Sequence, residues 1–284
     1  MSNKLAQAVV TQREIATKIM EREPVICKTL YPNIDTTIEA RLSIKPNQNE
    51  GTVTIYRNGT CKGIHSILLP CSFVSVQVHA IARAYNDLAD EMFWLSKCTL
   101  IREAFLEKRS KVFELLEITS LKEITTPYTD IKTADLCYKL ACKFHEGQLD
   151  KADRPYIEHP VAVAKEFSDE CLQSIALLHD VLEDTDCTPR LLRSYQVPET
   201  VITSVDNLTH KDGVDYQSYV NSLVVDPCAI VVKIADLSHN MDLTRLKFCD
   251  VKAYNRCLKY NKAIEQIYNA LQVRGGKLQW QEDR

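Results

Sequence analysis

Apolar residues recur at helical spacing near the start of the chain: Leu5, Ala8, Val9, Ile15, Ile19 and Met20 fall mostly on one face, predicting a helix of about four turns over 5–20. The period then changes. Over 37–45, Ile38, Ala40, Leu42 and Ile44 alternate with Thr37, Glu39, Arg41, Ser43 and Lys45, the period-two pattern of a half-buried strand. A turn at 46–51, a second alternating run at 52–57 and the Asn58-Gly59 tight-turn signal predict a third strand over 61–69 and a small antiparallel meander. Helical spacing returns in Val74, Val78, Ile81, Ala82, Tyr85, Leu88, Ala89 and Met92, and again in a more charged stretch over 101–117, so two helices complete an α+β segment.

Residues 119–130, with Thr125, Thr126 and Pro127, have the composition of a linker. Beyond it every pattern is helical: Ala134, Cys137, Leu140, Ala141 and Phe144, then 172–182, 201–208, 216–225, 229–237 and 253–271. The expected architecture is an α+β domain over 1–125 followed by an all-α helical bundle over 126–284. A length of 284 residues suits two domains.

Composition narrows the partners. A formal charge of −3 argues against a nucleic-acid partner held by bulk phosphate attraction. No run approaches the roughly 18 apolar residues of a membrane span, and the Met1-Ser-Asn-Lys4 start lacks the apolar core of a signal peptide. The 11 cysteines are odd in number and form no Cys-x-x-Cys, which argues against a zinc finger or disulfide framework and points to a reducing cytoplasm. The helical half carries 19 basic and 24 acidic side chains, so handling phosphates there calls for a metal ion to invert the local field.

Three clusters have chemical potential. His159 lies in Pro155-Tyr-Ile-Glu-His-Pro160; His179 and Asp180 lie in Ala176-Leu-Leu-His-Asp-Val-Leu-Glu-Asp-Thr-Asp186; Asp236 and Asn240 lie in Lys233-Ile-Ala-Asp-Leu-Ser-His-Asn240. On a continuous helix His179 and Glu183, and likewise Asp180 and Asp184, form adjacent polar stripes at the end of an apolar run. Taken singly, a buried histidine is ordinarily a hydrogen-bonded structural residue and an acidic run a solvated helix end. Taken together, two imidazoles and two carboxylates form a mixed nitrogen and oxygen set suited to a divalent ion such as Mn, Fe or Zn.

The order His159, His179-Asp180, Asp236 resembles that of the HD-domain phosphohydrolases. The surrounding words, with Phe144-His-Glu-Gly-Gln148, are similar to the hydrolase domain of the RelA/SpoT-type alarmone enzymes over about 130–271. The resemblance implies that His159, His179, Asp180 and Asp236 hold one metal, Mn²⁺ by analogy, with Fe, Zn or Mg as alternatives. It implies that Glu183 and Asp184 orient and deprotonate the attacking water, and that Asn240 and Lys151 contact a small phosphorylated nucleotide. The implied reaction is removal of the 3′ pyrophosphate from ppGpp or pppGpp. His145 and His239 fall outside the ligand positions and are expected to play supporting roles.

Departures from the family pattern also count. The family's Arg-Lys pair before the Pro-Tyr-Ile word, whose arginine packs on guanine, reads Asp150-Lys151 here, and basic residues expected at the places of Leu237 and Asp242 are absent. Two alternatives follow: a phosphatase for another phosphorylated nucleotide such as NADPH, and an HD-type nucleotide sensor without turnover. No synthetase word appears. The first segment carries no chemical constellation, and its Met92-Phe-Trp-Leu95 run suits either core or the interface of a homo-oligomer.

Overall fold

A computed structural model of the chain describes residues 10–44, 50–68, 76–246 and 248–278. The chain forms two compact units, one reaching to Leu100 and including Phe248–Asn255, the other starting at Ile101 and resuming at Arg256.

In the first unit, helix α1 (Gln12–Met20) starts at a capping box in which Thr11 and Glu14 satisfy each other's amides, and it buries Ile15, Ala16 and Ile19. The part of the expected helix before residue 10 lies outside the described residues. Four strands, β1 (Val25–Tyr31), β2 (Thr36–Ile44), β3 (Glu50–Arg57) and β4 (Thr60–Leu68), form an antiparallel meander in chain order. Asn58 and Gly59 both have positive φ, 48° and 78°, as the tight β3–β4 turn requires. Sequence periodicity missed β1. A bulge between Val25 and Cys27 shifts the register there and breaks the alternation that reveals β2 and β3.

Ile26, Ile38, Ala40, Val53, Ile55 and Ile67 from the sheet form one core with Val78, Ile81, Tyr85, Ala89 and Met92 of helix α2 (Val76–Leu115). Tyr31 Oη donates to the Ala89 carbonyl at 2.7 Å and Tyr85 Oη pairs with Thr29 Oγ1 at 2.8 Å, so helix and sheet are fixed by polar contacts as well as burial. Met92 is buried, with Phe93 and Leu95 packed against the same core. Where two helices were expected, α2 is a single helix of 40 residues. No glycine or proline interrupts it, and the residues between the two apolar patterns are compatible with helix, so nothing stops propagation. Its buried positions continue as Cys98, Phe105 and Val112, and the division between units falls within it.

The second unit is helical: α3 (Ala134–Phe144), α4 (Glu158–Ala164), α5 (Glu170–Leu178), α6 (Val181–Asp184), α7 (Pro189–Ser194), α8 (Glu199–Leu208), α9 (Tyr216–Ser222), α10 (Pro227–Asn240) and α11 (Val251–Val273). Helices α5 and α10 are buried almost all round, through Leu172, Ile175, Ala176 and Leu178 in one and Ile230, Val231, Val232 and Ile234 in the other. Each has an aspartate N-cap, Asp169 accepting from the Leu172 amide and Asp226 from that of Ala229. These caps fix where the helices begin and therefore where their far ends deliver polar side chains. The helix expected over 172–182 is interrupted at His179-Asp180, which separate α5 from α6. Among the described residues no helix is long and apolar enough to cross a membrane.

Candidate metal centre

His159 on α4, His179 after α5 and Asp236 on α10 are buried, and their ligating atoms all lie within 4.8 Å of one another. His159 Nε2 is 3.2 Å from Asp236 Oδ1 and 3.5 Å from Asp180 Oδ2; His179 Nε2 is 3.0 Å from Asp180 Oδ2 and 3.8 Å from Asp236 Oδ1. His179 and Asp180 lie at the junction of α5 and α6, both with right-handed helical backbone angles, and their side chains meet at 3.0 Å.

Protonation logic makes the set suitable for a cation. His179 Nδ1 lies 2.7 Å from the Ala176 carbonyl and must donate to it, so in the neutral ring Nε2 presents a lone pair. That atom is buried, has no aligned hydrogen-bond partner and faces two carboxylates. A lone pair against two anionic oxygens is repulsive unless a proton or a metal ion lies between them. Burial alone would push the His179 pKa down, but Asp180 and Asp236 outweigh it and raise the pKa to about 10. The carboxylates answer in kind: burial opposes their ionisation, yet Lys233 and the two imidazoles hold Asp236 far below the usual range, and His179 and His159 do the same for Asp180. Asp236 Oδ2 accepts from Lys233 Nζ at 2.8 Å and its Oδ1 from Asn240 Nδ2 at 2.5 Å. His159, His179 and Asp236, with Asp180 beside them, therefore make a donor set that fits a divalent transition ion.

A cavity of about 360 Å³ opens onto the set, lined by His159, Asp180 and Asp236 together with Glu183, Asp184, Lys151 and Asn240. Glu183 Oε2 accepts from the His210 amide at 2.9 Å. Tyr156 Oη is 2.6 Å from Asp180 Oδ2 and 3.1 Å from Asp184 Oδ2, so one phenol joins the candidate ligand to the second acid. Burial, then the Asp180 charge, keeps that phenol protonated by raising its pKa strongly. Seven of the eight residues singled out in the sequence line this cavity, and the eighth, His179, meets them through Asp180 Oδ2 at 3.0 Å.

Other lining residues escaped the sequence reading. Tyr216, Tyr219 and Tyr260 supply aromatic wall, and Arg256 and Lys259 of α11 add positive charge. Burial, then Arg256 and Lys259, lowers the Lys151 pKa, the mark of cations crowded together. Lys259 Nζ also sits 3.8 Å from the Tyr216 ring centroid. The only sequence signal was the i, i+3, i+4 spacing of Arg256, Lys259 and Tyr260, which is commonplace on a charged helix. Asp150, at the place of the family's arginine, closes its own loop: Oδ1 accepts the Ala152 and Arg154 amides at 2.8 and 3.0 Å, and Oδ2 lies 3.2 Å from Arg245 Nη2. His145 pairs with Gln148 Oε1 at 2.7 Å, a supporting role.

A helical unit with a histidine and aspartate cluster over a charged cavity offers a mixed nitrogen and oxygen donor set to a cation. Comparison with known proteins establishes distant homology to the SpoT/RelA (p)ppGpp hydrolase domain. A guanosine-3′,5′-bis(diphosphate) 3′-pyrophosphohydrolase from Vibrio cholerae is 35% identical over 140 residues, covering 43% of this chain and 20% of that protein. The bifunctional (p)ppGpp synthase/hydrolase SpoT of Escherichia coli is 33% identical over 138 residues, 44% of this chain and 20% of SpoT. A GTP pyrophosphokinase of Streptomyces coelicolor is 31% identical over 144 residues, 46% and 17% of the two chains. The chain thus spans about a fifth of the length of the curated relatives it matches. A solved metazoan ortholog of SpoT, described as hydrolysing ppGpp, superposes with a TM-score of 0.40 at 21% identity over 51% of this chain and 97% of its own, a likeness too low to bear on the fold. No family model matches the chain.

Proposed function

We propose that residues 126–284 form a metal-dependent phosphohydrolase domain that releases the 3′ pyrophosphate of ppGpp or pppGpp. The observation that carries this reading is the buried His179 Nε2 lone pair aimed, beside that of His159, at the oxygens of Asp180 and Asp236. Homology to guanosine polyphosphate hydrolases supports the substrate class. His159, His179, Asp180 and Asp236 would hold the ion, and Mn²⁺ suits a set that mixes imidazole with hard carboxylates. When bound, such an ion acidifies water and draws charge from a phosphoryl oxygen.

The protein's own groups do the rest. Glu183 or Asp184 takes a proton from water as its oxygen adds to the phosphorus on the 3′ oxygen; the 3′ O–P bond breaks and the 3′ oxygen takes up that proton, leaving a nucleoside 5′-polyphosphate with a free 3′ hydroxyl, and pyrophosphate. Asp184, held by Tyr156, is fixed relative to Asp180, whereas Glu183 retains one oxygen beyond its bond to the His210 amide. Asn240 and Lys151 line the same cavity and are placed to orient the nucleotide and meet its phosphates.

The test is incubation of the Mn²⁺-loaded 284-residue chain with ppGpp, pppGpp, NADPH and a deoxynucleotide panel, the products being resolved by ion exchange. Pyrophosphate release from the guanosine tetra- and pentaphosphates is expected. Orthophosphate from NADPH alone, or tight nucleotide binding with no turnover, would overturn the assignment.

A further inference from the structure

His239 stands behind the candidate ligand set and Arg245 reaches it from the cavity wall, and the chemistry of their nitrogens fixes where the protons are. Arg245 Nη1 lies 3.0 Å from His239 Nδ1, and a guanidinium can only donate. His239 Nδ1 must therefore present its lone pair. The same atom lies 2.6 Å from His159 Nδ1, with the two rings inclined at 24° and centroids 4.9 Å apart, a spacing that sets them edge to edge. Two ring nitrogens at that distance need a proton between them, and only His159 Nδ1 is left to carry it. The remaining nitrogen of His159, Nε2, is thereby the free donor atom facing Asp236 and Asp180. Arg245 is in turn held by Asp150 Oδ2 at 3.2 Å, and Asp150 binds the amides that close the loop carrying Lys151.

We propose that Arg245 is a positioning residue that, through His239, locks His159 in the tautomer that presents Nε2 to a metal ion, and that Asp150 anchors this relay to the substrate-facing loop. The inference rests on the metal-centre reading and deepens it. It assigns a role to Asp150-Arg245 that base recognition does not: the pair sets metal affinity from the far side of a ligand ring. It also separates from plain electrostatics. Removing a nearby cation should strengthen binding of a divalent ion, whereas breaking the relay should weaken it.

The experiment measures Mn²⁺ affinity of the full chain by chelator competition for wild type, Arg245→Met, His239→Phe and the double variant, with circular dichroism to confirm folding. Arg245→Met is expected to weaken binding by about 10- to 100-fold, the usual effect of losing an orienting partner. The double variant should lose no more than His239→Phe alone, because both changes cut one chain. Ring ¹⁵N spectra of the Zn²⁺-loaded wild type should show His239 protonated at Nε2 and bare at Nδ1. Unchanged or tighter binding in Arg245→Met, additive losses in the double variant, or a proton on His239 Nδ1 would overturn the relay while leaving the metal centre standing. A wild type that binds neither ion would overturn both.

Discussion

The His179 proton offers a test of the site that needs no substrate. In metal-free protein the His179 pKa stands at about 10 against 6.5 in the unfolded chain. A group whose folded pKa is raised contributes stability that is fully present below the unfolded value and is lost as pH rises toward the folded one. At about 1.4 kcal/mol per pH unit the whole displacement corresponds to roughly 5 kcal/mol. About 2 kcal/mol of it should disappear between pH 6 and pH 8, below the range in which buried thiols begin to contribute. His239, whose pKa is lowered to about 4 by burial, then by His159 and Arg245, works in the opposite direction near the bottom of that interval. The clean quantity is therefore the difference between wild type and His179→Gln. Urea denaturation of chelator-treated protein, followed by circular dichroism at pH 6, 7 and 8, should show the wild type losing about 2 kcal/mol relative to the variant. With saturating Mn²⁺ the trend should reverse, because the ion occupies the place of the proton and binds better as protons become scarce. A wild-type profile parallel to that of His179→Gln in the metal-free state would refute the reasoning, since Nε2 would then not share a charge site with Asp180 and Asp236.

Three further outcomes are expected. Asp180→Asn should reduce metal-dependent phosphate release by more than about 100-fold while leaving the helical circular dichroism signal intact, because the change removes a charge and no packing. Tyr156→Phe, which deletes the hydroxyl shared by Asp180 and Asp184, should lower kcat by about 10-fold in steady-state assays and leave KM nearly unchanged. Lys259→Met should raise KM for a guanosine polyphosphate with little effect on kcat, and the variant should show a shallower salt dependence of KM than wild type.

What the sequence revealed depended on whether one face of an element was buried and the other wet. Strands β2 and β3 were readable because Ile38, Ala40, Val53 and Ile55 alternate with polar neighbours, and β1 was not because its bulge falls among its own apolar residues. The length of α2 was obscured by a change of apolar face near Leu95, which resembles an ending although no residue there ends a helix. At the site, words such as His179-Asp180 and Asp236 to Asn240 set imidazole, carboxylate and amide side by side in the sequence itself. The helical spacing read for His179, Glu183, Asp180 and Asp184 did not anticipate that α5 ends at Leu178 and α6 begins at Val181, nor that His179 Nε2 lies 3.0 Å from Asp180 Oδ2. Tyr156, Arg256 and Lys259 were silent because a tyrosine beside a proline and cations on a polar helix have many ordinary uses. Only the fold shows which of them face the cavity.

The four candidate ligands come from three stretches of chain, with 20 positions separating His159 from His179 and 56 separating Asp180 from Asp236. No short fragment holds more than the adjacent His179-Asp180 pair, which alone offers half a coordination shell. An ion held by these four would meet a complete site only once α4, α5 and α10 have packed. A newly made chain would in this way be shielded from capturing the wrong metal while still folding, the choice of ion resting with a finished cavity of fixed size and charge.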